Sequence, residues 1–164
     1  MNGSTITSSA DLGIISSDWA VQGTGDFNAD GKSDILWRNT NGDVVIWFMN
    51  AGTIASSADL GVIPSSWTIQ GTGVNGSADI LWRNSNGDTV LWFMNGGTIA
   101  SSTDLGVIPS SWTIQGTGYF NSDGQSDILW RNSNGDVVIW FMNGATITSS
   151  TDLGVVPTSW SIQP

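Results

Sequence analysis

The stretch Asp34-Ile-Leu-Trp-Arg-Asn-Thr-Asn-Gly-Asp-Val-Val-Ile-Trp-Phe-Met49 returns almost unchanged at residues 79–94 and 127–142. Each half of it reads as a β-strand, because β-branched and aromatic residues dominate and helix signals are absent. Asn41-Gly42 lies between the halves and predicts a type I′ hairpin, a turn whose two central residues both need positive φ. Residues 44–49 are apolar on both faces, so we expect both faces of that strand to be buried.

This hairpin belongs to a longer repeat in which every unit starts with Met-Asn-Gly or Met-Asn-Ala. The units are residues 1–48, 49–93 and 94–141, followed by a partial unit at residues 142–164. The whole chain, residues 1–164, is therefore predicted to be a single repeat array of about three and a half units.

Each full unit reads as four short strands separated by turn residues. The four strands are illustrated with examples from neighbouring units. The first strand of a blade is exemplified by residues 67–71, the second by 34–39, the third by 44–49 and the fourth, which is the most polar, by 53–57. Four strands in ~45 residues, repeated along the chain, are typical of an all-β fold, the β-propeller built from four-stranded blades. A stacked β-solenoid is the alternative, although its units are usually shorter and need no tight hairpin.

The composition excludes several classes of function. The chain has no cysteine and no histidine, which excludes disulfides, zinc–cysteine sites and histidine acid–base catalysis. It carries 14 acidic residues against four basic ones, a net charge of -10 that argues against nucleic acid and anionic membranes as partners. No apolar run approaches the ~20 residues of a membrane span, and the N-terminus lacks the pattern of a signal peptide.

A run of oxygen-bearing side chains between the first and second strands of unit one points to a metal. Ca²⁺ takes six to eight oxygen ligands, and Gly31 allows the sharp turn that wrapping a cation needs. Side-chain oxygens at alternating positions, and the backbone carbonyl of Lys32, provide the candidate ligands Asp26, Asn28, Asp30, Lys32 and Asp34. The alternative is a plain turn rich in Asx residues.

The other two units repeat this loop incompletely. In unit three Tyr119 replaces the first aspartate, which leaves a weaker candidate site formed by Asn121, Asp123, Gln125 and Asp127. In unit two the loop is three residues shorter, so residues 74–79 are expected to form a plain turn without metal.

Residues 25–39 resemble the integrin-type FG-GAP/VCBS repeat family, and residues 42–50 are similar to its bacterial members. The resemblance covers essentially the whole chain. It implies a β-propeller, usually of seven blades, in which structural Ca²⁺ sits in loops that join the inner strand to the second strand. Members are mostly extracellular, in adhesion modules, in appendages of secreted enzymes and in some lectins. We therefore expect a secreted or cell-surface protein.

The resemblance also makes the strands that start at Trp19, Trp67 and Trp112 the innermost ones. The chain then begins with an outer strand, contains three complete blades, and ends with the start of an inner strand at Trp160, fourteen strands in all. Because propellers close with ~4–8 blades, we expect a homo-oligomer, most simply a dimer whose 28 strands equal seven blades. The alternative is a piece of a longer array.

The tryptophans and arginines are the candidate ligand-binding residues. Sugars stack on flat aromatic rings, and the three tryptophans beside an arginine are expected to be the most exposed platforms, although packing between blades is the alternative. The neighbouring arginines could hold a sugar or carboxylate, or could instead form a cation–π contact or pair with Asp59, Asp104 or Asp152. The candidate residues are Trp37, Arg38, Trp82, Arg83, Trp130 and Arg131.

No catalytic residues are predicted. The aspartates all belong to repeated turns or to the metal loop, whereas an active site usually breaks the repeat with a singular constellation. The sequence thus predicts a non-enzymatic calcium-binding propeller for extracellular glycan recognition or adhesion. The alternative is a structural, self-assembling repeat protein, natural or designed, without a small ligand.

Overall fold

The computed structural model describes residues 5–73 and 78–162, and within them it contains three four-stranded antiparallel sheets and no helix. We call the sheets blades 1, 2 and 3. Blade 1 consists of β1 (Trp19–Gly25), β2 (Asp34–Asn39), β3 (Asp43–Asn50) and β4 (Thr53–Val62). Blade 2 consists of β5 (Trp67–Thr72), β6 (Ile80–Asn84), β7 (Asp88–Asn95) and β8 (Thr98–Val107). Blade 3 consists of β9 (Trp112–Gly118), β10 (Asp127–Asn132), β11 (Asp136–Asn143) and β12 (Thr146–Val155).

Within each blade the strands pair in chain order, so the prediction of repeated four-stranded units is confirmed. The outer strand is longer than the sequence suggested, because β4 follows β3 along its whole length. It does so through a bulge at which Gly61 adopts a φ of 85° and donates its N–H to Asp59 Oδ1 over 2.7 Å. Blades 2 and 3 repeat this bulge at Gly106 and Gly154.

The prediction of fourteen strands is wrong for the described residues, which contain twelve. Residues 6–18 and 156–162 form no strand, and Thr5 forms only an isolated bridge, while Gln163 lies outside the described residues. The physical reason is that a strand needs a neighbour for its backbone groups, and neither end of this chain has a full sheet to join. Residues 6–18 nevertheless keep the local bulge, since Gly13 N–H donates to Asp11 Oδ1 over 2.8 Å.

The predicted type I′ hairpin is also wrong. Gly42 N–H donates to Asn39 O over 2.9 Å, so Thr40 and Asn41 are the central residues of the turn. Asn41 has negative φ and only Gly42, with a φ of 96°, is left-handed. This is the three-residue connection, in which a turn is followed by one left-handed glycine.

The core lies between the blades. Each blade has a front face that packs on the next blade and a back face that packs on the preceding one. The front face of blade 1 carries Leu36, Val44, Ile46 and Phe48. The back face of blade 2, which packs against it, carries Ile80, Trp82, Val90, Trp92 and Met94. The front of blade 2 meets the back of blade 3 in the same way, through Leu81, Leu91, Phe93, Ile128, Trp130, Val138, Trp140 and Met142.

Polar contacts fasten blade 1 to blade 2 near the inner strands. Thr72 Oγ1 donates to Thr24 O over 2.9 Å. Gly96 N–H donates to Phe27 O over 3.0 Å, and Ala78 N–H donates to Asp26 O over 3.2 Å. The Phe27 side chain is buried in the same contact. The loop that leaves β1 therefore acts as a clamp on the following blade.

In the part of the chain that the structure describes, no helix has the length and apolar character needed to cross a membrane.

Gly87 is expected to tolerate no side chain. Its φ is 96°, and a Cβ there would meet the carbonyl oxygen of Ile108 in the connection to blade 3. Gly106 has a similar φ of 92° but open space around it, so it is the matched control. Gly106→Ala should cost about 1–2 kcal/mol from the left-handed backbone alone. Gly87→Ala should cost at least about 1 kcal/mol more, because backbone must move.

The comparison is made by urea denaturation, with equal m values required so that the midpoints report stability. Equal losses for the two variants would show that the close approach at Ile108 contributes nothing.

Candidate functional site

The predicted metal loop of blade 1 is curled tightly around its own amides. Asp26 accepts hydrogen bonds from Asp30 N–H over 3.0 Å and from Gly31 N–H over 2.8 Å, and Asn28 Oδ1 accepts from Asp30 N–H over 3.1 Å. Ala29 and Gly31 have φ values of 57° and 81°, which produce the curl. The structure thus brings the oxygens of Asp26 and Asn28 together around one backbone amide.

Asp30 interacts mainly with Lys32. Its Oδ1 accepts Lys32 N–H over 2.9 Å, and Lys32 Nζ lies 3.2 Å from its Oδ2. Desolvation is the largest single influence on Asp30 and acts to raise its pKa, but the hydrogen bonds from the Lys32 backbone and side chain, the charge of Lys32 and a hydrogen bond from Asn28 together outweigh it, so the pKa of Asp30 is lowered. The carboxylate is therefore ionised, and so able to ligate a cation, over the physiological range.

Asp34 lies apart from the other predicted ligands, in the core of the blade. It is fully buried, and its two oxygens accept Phe27 N–H and Met49 N–H, each over 2.9 Å. Asp127 repeats both bonds in blade 3, and Asp79 accepts Met94 N–H over 2.9 Å in blade 2. Because blade 2 lacks the long loop, this aspartate holds the loop base to the third strand independently of any metal.

Sequence reasoning assigned Asp34 only to the metal and missed this structural role. The signal was present, since Asp79 is kept although the residues before it are shortened. Among the described residues there is no group of three or more acidic side chains that could hold a metal on their own. A cation in this loop would therefore depend on Asn28 and on backbone carbonyls as well.

The blade 3 loop has the same conformation with fewer carboxylates. Asp123 N–H donates to Asn121 Oδ1 over 3.1 Å, and Gln125 N–H donates to Asp123 Oδ1 over 2.8 Å. Ser122 and Gly124 repeat the left-handed residues. Tyr119 stands exposed where blade 1 has its first aspartate. The expected plain turn of unit two falls mostly on residues 74–77, which lie outside the described residues.

A pocket lined by three tryptophans recurs in every blade. It lies on the back face, and in blades 2 and 3 the connection from the preceding blade forms one wall. The cavities measure about 190, 250 and 290 Å³ in blades 1, 2 and 3. Their tryptophans are Trp19, Trp37 and Trp47 in blade 1, Trp67, Trp82 and Trp92 in blade 2, and Trp112, Trp130 and Trp140 in blade 3.

Two of the tryptophans in each pocket form a tilted pair with ring centroids 4.9–5.0 Å apart. The pair brings the second strand's tryptophan against that of the third strand. The indole N–H groups of Trp37, Trp82 and Trp130 are buried, and no acceptor among the described residues bonds them. Each pocket therefore has an apolar aromatic wall, and one of its tryptophans carries a buried indole N–H without a bonded acceptor.

The expectation that these three tryptophans are the most exposed is wrong. Trp82 and Trp130 are each 1% exposed, and Trp37, at the uncovered end of the array, is half-buried. The reason is that an arginine of the preceding blade covers the ring. The guanidinium carbon of Arg38 lies 5.3 Å from the Trp82 ring centroid, and that of Arg83 lies 5.1 Å from the Trp130 centroid.

The arginines join each blade to the connection that follows it. Arg38 donates to the carbonyls of Ile63 over 3.0 Å and Pro64 over 3.1 Å, and also to Trp67 O. Arg83 repeats the first two bonds with Ile108 and Pro109. Burial lowers the pKa of both guanidinium groups, yet arginine stays charged at any ordinary pH.

The cation–π alternative is thus confirmed for Arg38 and Arg83, and pairing with an aspartate is not observed among the described residues. The proposed partners Asp59, Asp104 and Asp152 bind the bulge glycines instead. Arg131 has no following blade, and it donates to the chain's own end at Val156, Pro157 and Trp160.

Comparison of the sequence with protein-family models finds no matching family, and comparison with curated proteins finds no match either.

Arg83 is expected to stabilise the array through its planar shape as well as its charge. Lysine cannot bond several carbonyls while lying flat on an indole, so Arg83→Lys should cost about 1–3 kcal/mol of stability. Arg131→Lys is the control, because Arg131 binds the equivalent carbonyls of Val156 and Pro157, and also Trp160 O, but covers no tryptophan of its own chain. Its cost should be less than half as large when both variants are compared by urea denaturation. Equal costs would mean that the indole contact adds nothing.

Proposed function

We propose that this chain is a non-enzymatic β-propeller module that binds glycans in its tryptophan pockets and is stabilised by Ca²⁺. The observation that supports glycan binding is the recurrence of one pocket lined by three tryptophans in all three blades. A surface that serves only to pack blades together would gain nothing from keeping such a cavity, because an unfilled gap forfeits contacts.

The pocket suits a small ring with an apolar face and hydroxyl groups. A cavity of about 290 Å³ or less is at or below the ~300 Å³ lower bound for drug-sized ligands, which suits one sugar residue. The indole faces offer stacking surface for sugar C–H groups.

A purely binding role is favoured over catalysis. Asp26 and Asp30 accept hydrogen bonds from their own loop, and Asp34 and its counterparts accept backbone amides, so among the described residues these aspartates are engaged in local structure rather than paired for glycoside cleavage. The absence of histidine from the sequence removes the usual general base.

Glycan binding is tested on an array of glycans, followed by calorimetry with the best monosaccharide. Trp92→Leu and Trp140→Leu each empty one wall of a pocket at a half-buried position and should abolish binding at that pocket. Trp160→Leu is the matched control, because this tryptophan is exposed and lines none of the three pockets. Circular dichroism establishes that each variant is folded.

Selective binding whose stoichiometry falls by one site in each pocket variant and is unchanged in the control would support the proposal. Absence of binding by the folded protein, or equal loss in Trp160→Leu, would contradict it and favour the purely structural alternative.

Calcium is proposed as a structural ion in the loop of blade 1. The donor set fits, because Asp26, Asn28 and Asp30 offer hard side-chain oxygens on one tightly curled loop. Asp34 would join them only through lone pairs left over from its two amide bonds. The loop lacks a bidentate glutamate, so we expect an affinity suited to extracellular calcium, consistent with a secreted or cell-surface protein.

Calcium binding should raise the melting temperature. At free Ca²⁺ about 100 times the Kd, one site adds about 2.7 kcal/mol to the free energy of unfolding. Asp26→Asn should remove most of this gain, and Asp123→Asn should affect only the weaker blade 3 loop. Asp18→Asn makes the same charge change outside both loops and serves as the control. Melting curves in Ca²⁺ and in chelator that coincide for the unaltered protein would contradict a calcium site.

A further inference from the structure

We propose that the front face of blade 3 in one copy of this chain binds the back face of blade 1 in a second copy. Two copies joined in this way at both ends form a closed ring of six blades. This inference is independent of the glycan pockets and of calcium, because it depends only on the surfaces by which the blades already pack.

The proposed interface is present twice within the chain. The back face of blade 1 carries Ile35, Trp37, Val45, Trp47 and Met49, the same residue types in the same order as the packed back face of blade 3. The front face of blade 3 carries Leu129, Val137, Ile139 and Phe141, the same types as the packed front face of blade 1. The two end faces are therefore complementary by repetition.

Exposure identifies the side chains that are missing a neighbour. Leu153 is 56% exposed, whereas its equivalents Leu60 and Leu105 pack in the two cores between blades. At the other end Val21 is 52% exposed, whereas its equivalents Ile69 and Ile114 are packed.

The loop that follows the first strand of a blade shows the same contrast in exposure between blade 1 and blade 3. Phe120 is 45% exposed, whereas its equivalent Phe27 is 1% exposed against blade 2. In the absence of a following blade the Phe120 ring rests on Gly118, 3.4 Å from where a Cβ would stand. Gly25, the equivalent of Gly118, faces Ala78 of blade 2 instead. Phe120 therefore fills part of the space that a neighbouring blade occupies elsewhere.

Polar groups are matched as well. The carbonyls of Phe27 and Asp26 accept amides of blade 2, and their equivalents on blade 3 are the carbonyls of Phe120 and Tyr119. The donors on blade 1 that correspond to Gly96 and Ala78 are the amides of Ala51 and Ser33. Ala51 has a φ of 54°, close to the 59° of Gly96, so this position in blade 1 has the same left-handed conformation as the bonded donor in blade 2.

Both ends of the chain partly occupy these faces in the single copy. Ala10 lies against Gly52 as Ala58 of blade 1 lies against Gly97 of blade 2, so residues 5–18 take the place of a preceding outer strand. At the other end Arg131 binds the carbonyls of Val156, Pro157 and Trp160 in place of a following blade.

Binding of a second copy therefore exchanges one terminal segment for another. Arg131 then binds residues 15–19 of the incoming copy instead of residues 156–160 of its own chain. Because β12 stays in place, the equivalent residues 5–14 of the incoming copy are excluded. Neither displaced segment belongs to a sheet, since residues 156–162 and 6–12 form no strand, whereas β12 pairs with β11 from Thr146 to Val155. The exchange replaces the bonds of Arg131 to its own chain end by equivalent bonds to the incoming copy, and it adds a core between two blades.

The number of copies follows from the number of blades. Two copies of three blades make six, within the ~4–8 of closed propellers, whereas three copies make nine. The 24 strands of this ring replace the 28 expected from sequence. Each copy carries a net charge of -10, so the two copies repel each other and association should strengthen as salt screens the charge.

The test uses sedimentation velocity on the full chain over a range of concentrations, at moderate and high salt. We expect a species of twice 17.3 kDa that becomes more populated as salt increases. Leu153→Asp should weaken the dimer by at least roughly tenfold, because it places a charge in the new core. Ile147→Asp is the matched control, since Ile54, Ile99 and Ile147 are all 40% exposed whether or not their blade has neighbours.

A mixing experiment distinguishes head-to-tail contact from any symmetrical one. Val21→Asp damages the back face of blade 1 and should also leave the chain monomeric. Mixed with Leu153→Asp, it should form a heterodimer, because one of the two contacts then joins two undamaged faces.

Three results would overturn the proposal. They are a single-chain mass for the unaltered protein at every concentration and salt, equal weakening by Leu153→Asp and Ile147→Asp, and failure of the two damaged chains to pair. Assemblies that keep growing beyond two copies would overturn ring closure. Circular dichroism and unfolding curves establish that each variant is folded before its mass is interpreted.

Discussion

The rest of the structure depends on one constraint: a blade that is apolar on both faces cannot remain in water, so each blade must be covered by the next. Arg38 shows how the chain meets this constraint with one side chain. Its guanidinium binds the connection that leads out of its own blade and lies over Trp82 of the blade that follows. The contact couples the position of the connection to the position of the next sheet, which is why the same geometry recurs at Arg83.

Much of this architecture could be predicted from sequence, because repetition and turn residues are local signals. The strands, their order and the glycine connections follow from alternation and from residues such as Gly42. The exposure of Trp82 could not be predicted in this way. An alternation with a period of two shows which residues share a face of the sheet. Where both faces are apolar, it does not show whether a tryptophan on one face is buried at the centre of the contact between blades or exposed at its edge.

The aspartates show a second limit of sequence reasoning. A carboxylate in a turn can bind a cation, an arginine or a backbone amide, and the spacing of residues in the chain is similar for all three. Asp59 accepts a hydrogen bond from the amide of Gly61, two residues away. Because so close a partner requires almost no loop-closure entropy, it is favoured over a distant arginine. Asp34 likewise accepts hydrogen bonds from the amides of Phe27 and Met49. This structural role can be distinguished from metal binding only through blade 2, where the long loop is missing and the equivalent aspartate is kept.

Near-identity of the units has a consequence that reaches from packing to function. When every back face fits every front face, the two ends of an array fit each other, so the same contacts that stabilise the blades also favour closure. A pocket of about 190–290 Å³ can contact only a small ligand and so gains little affinity from any single site. Under the proposed glycan function, repetition would compensate for this weakness, because several pockets in one chain would engage a multivalent surface together. In the proposed ring, the second copy of the same chain would double the number of pockets on one assembly.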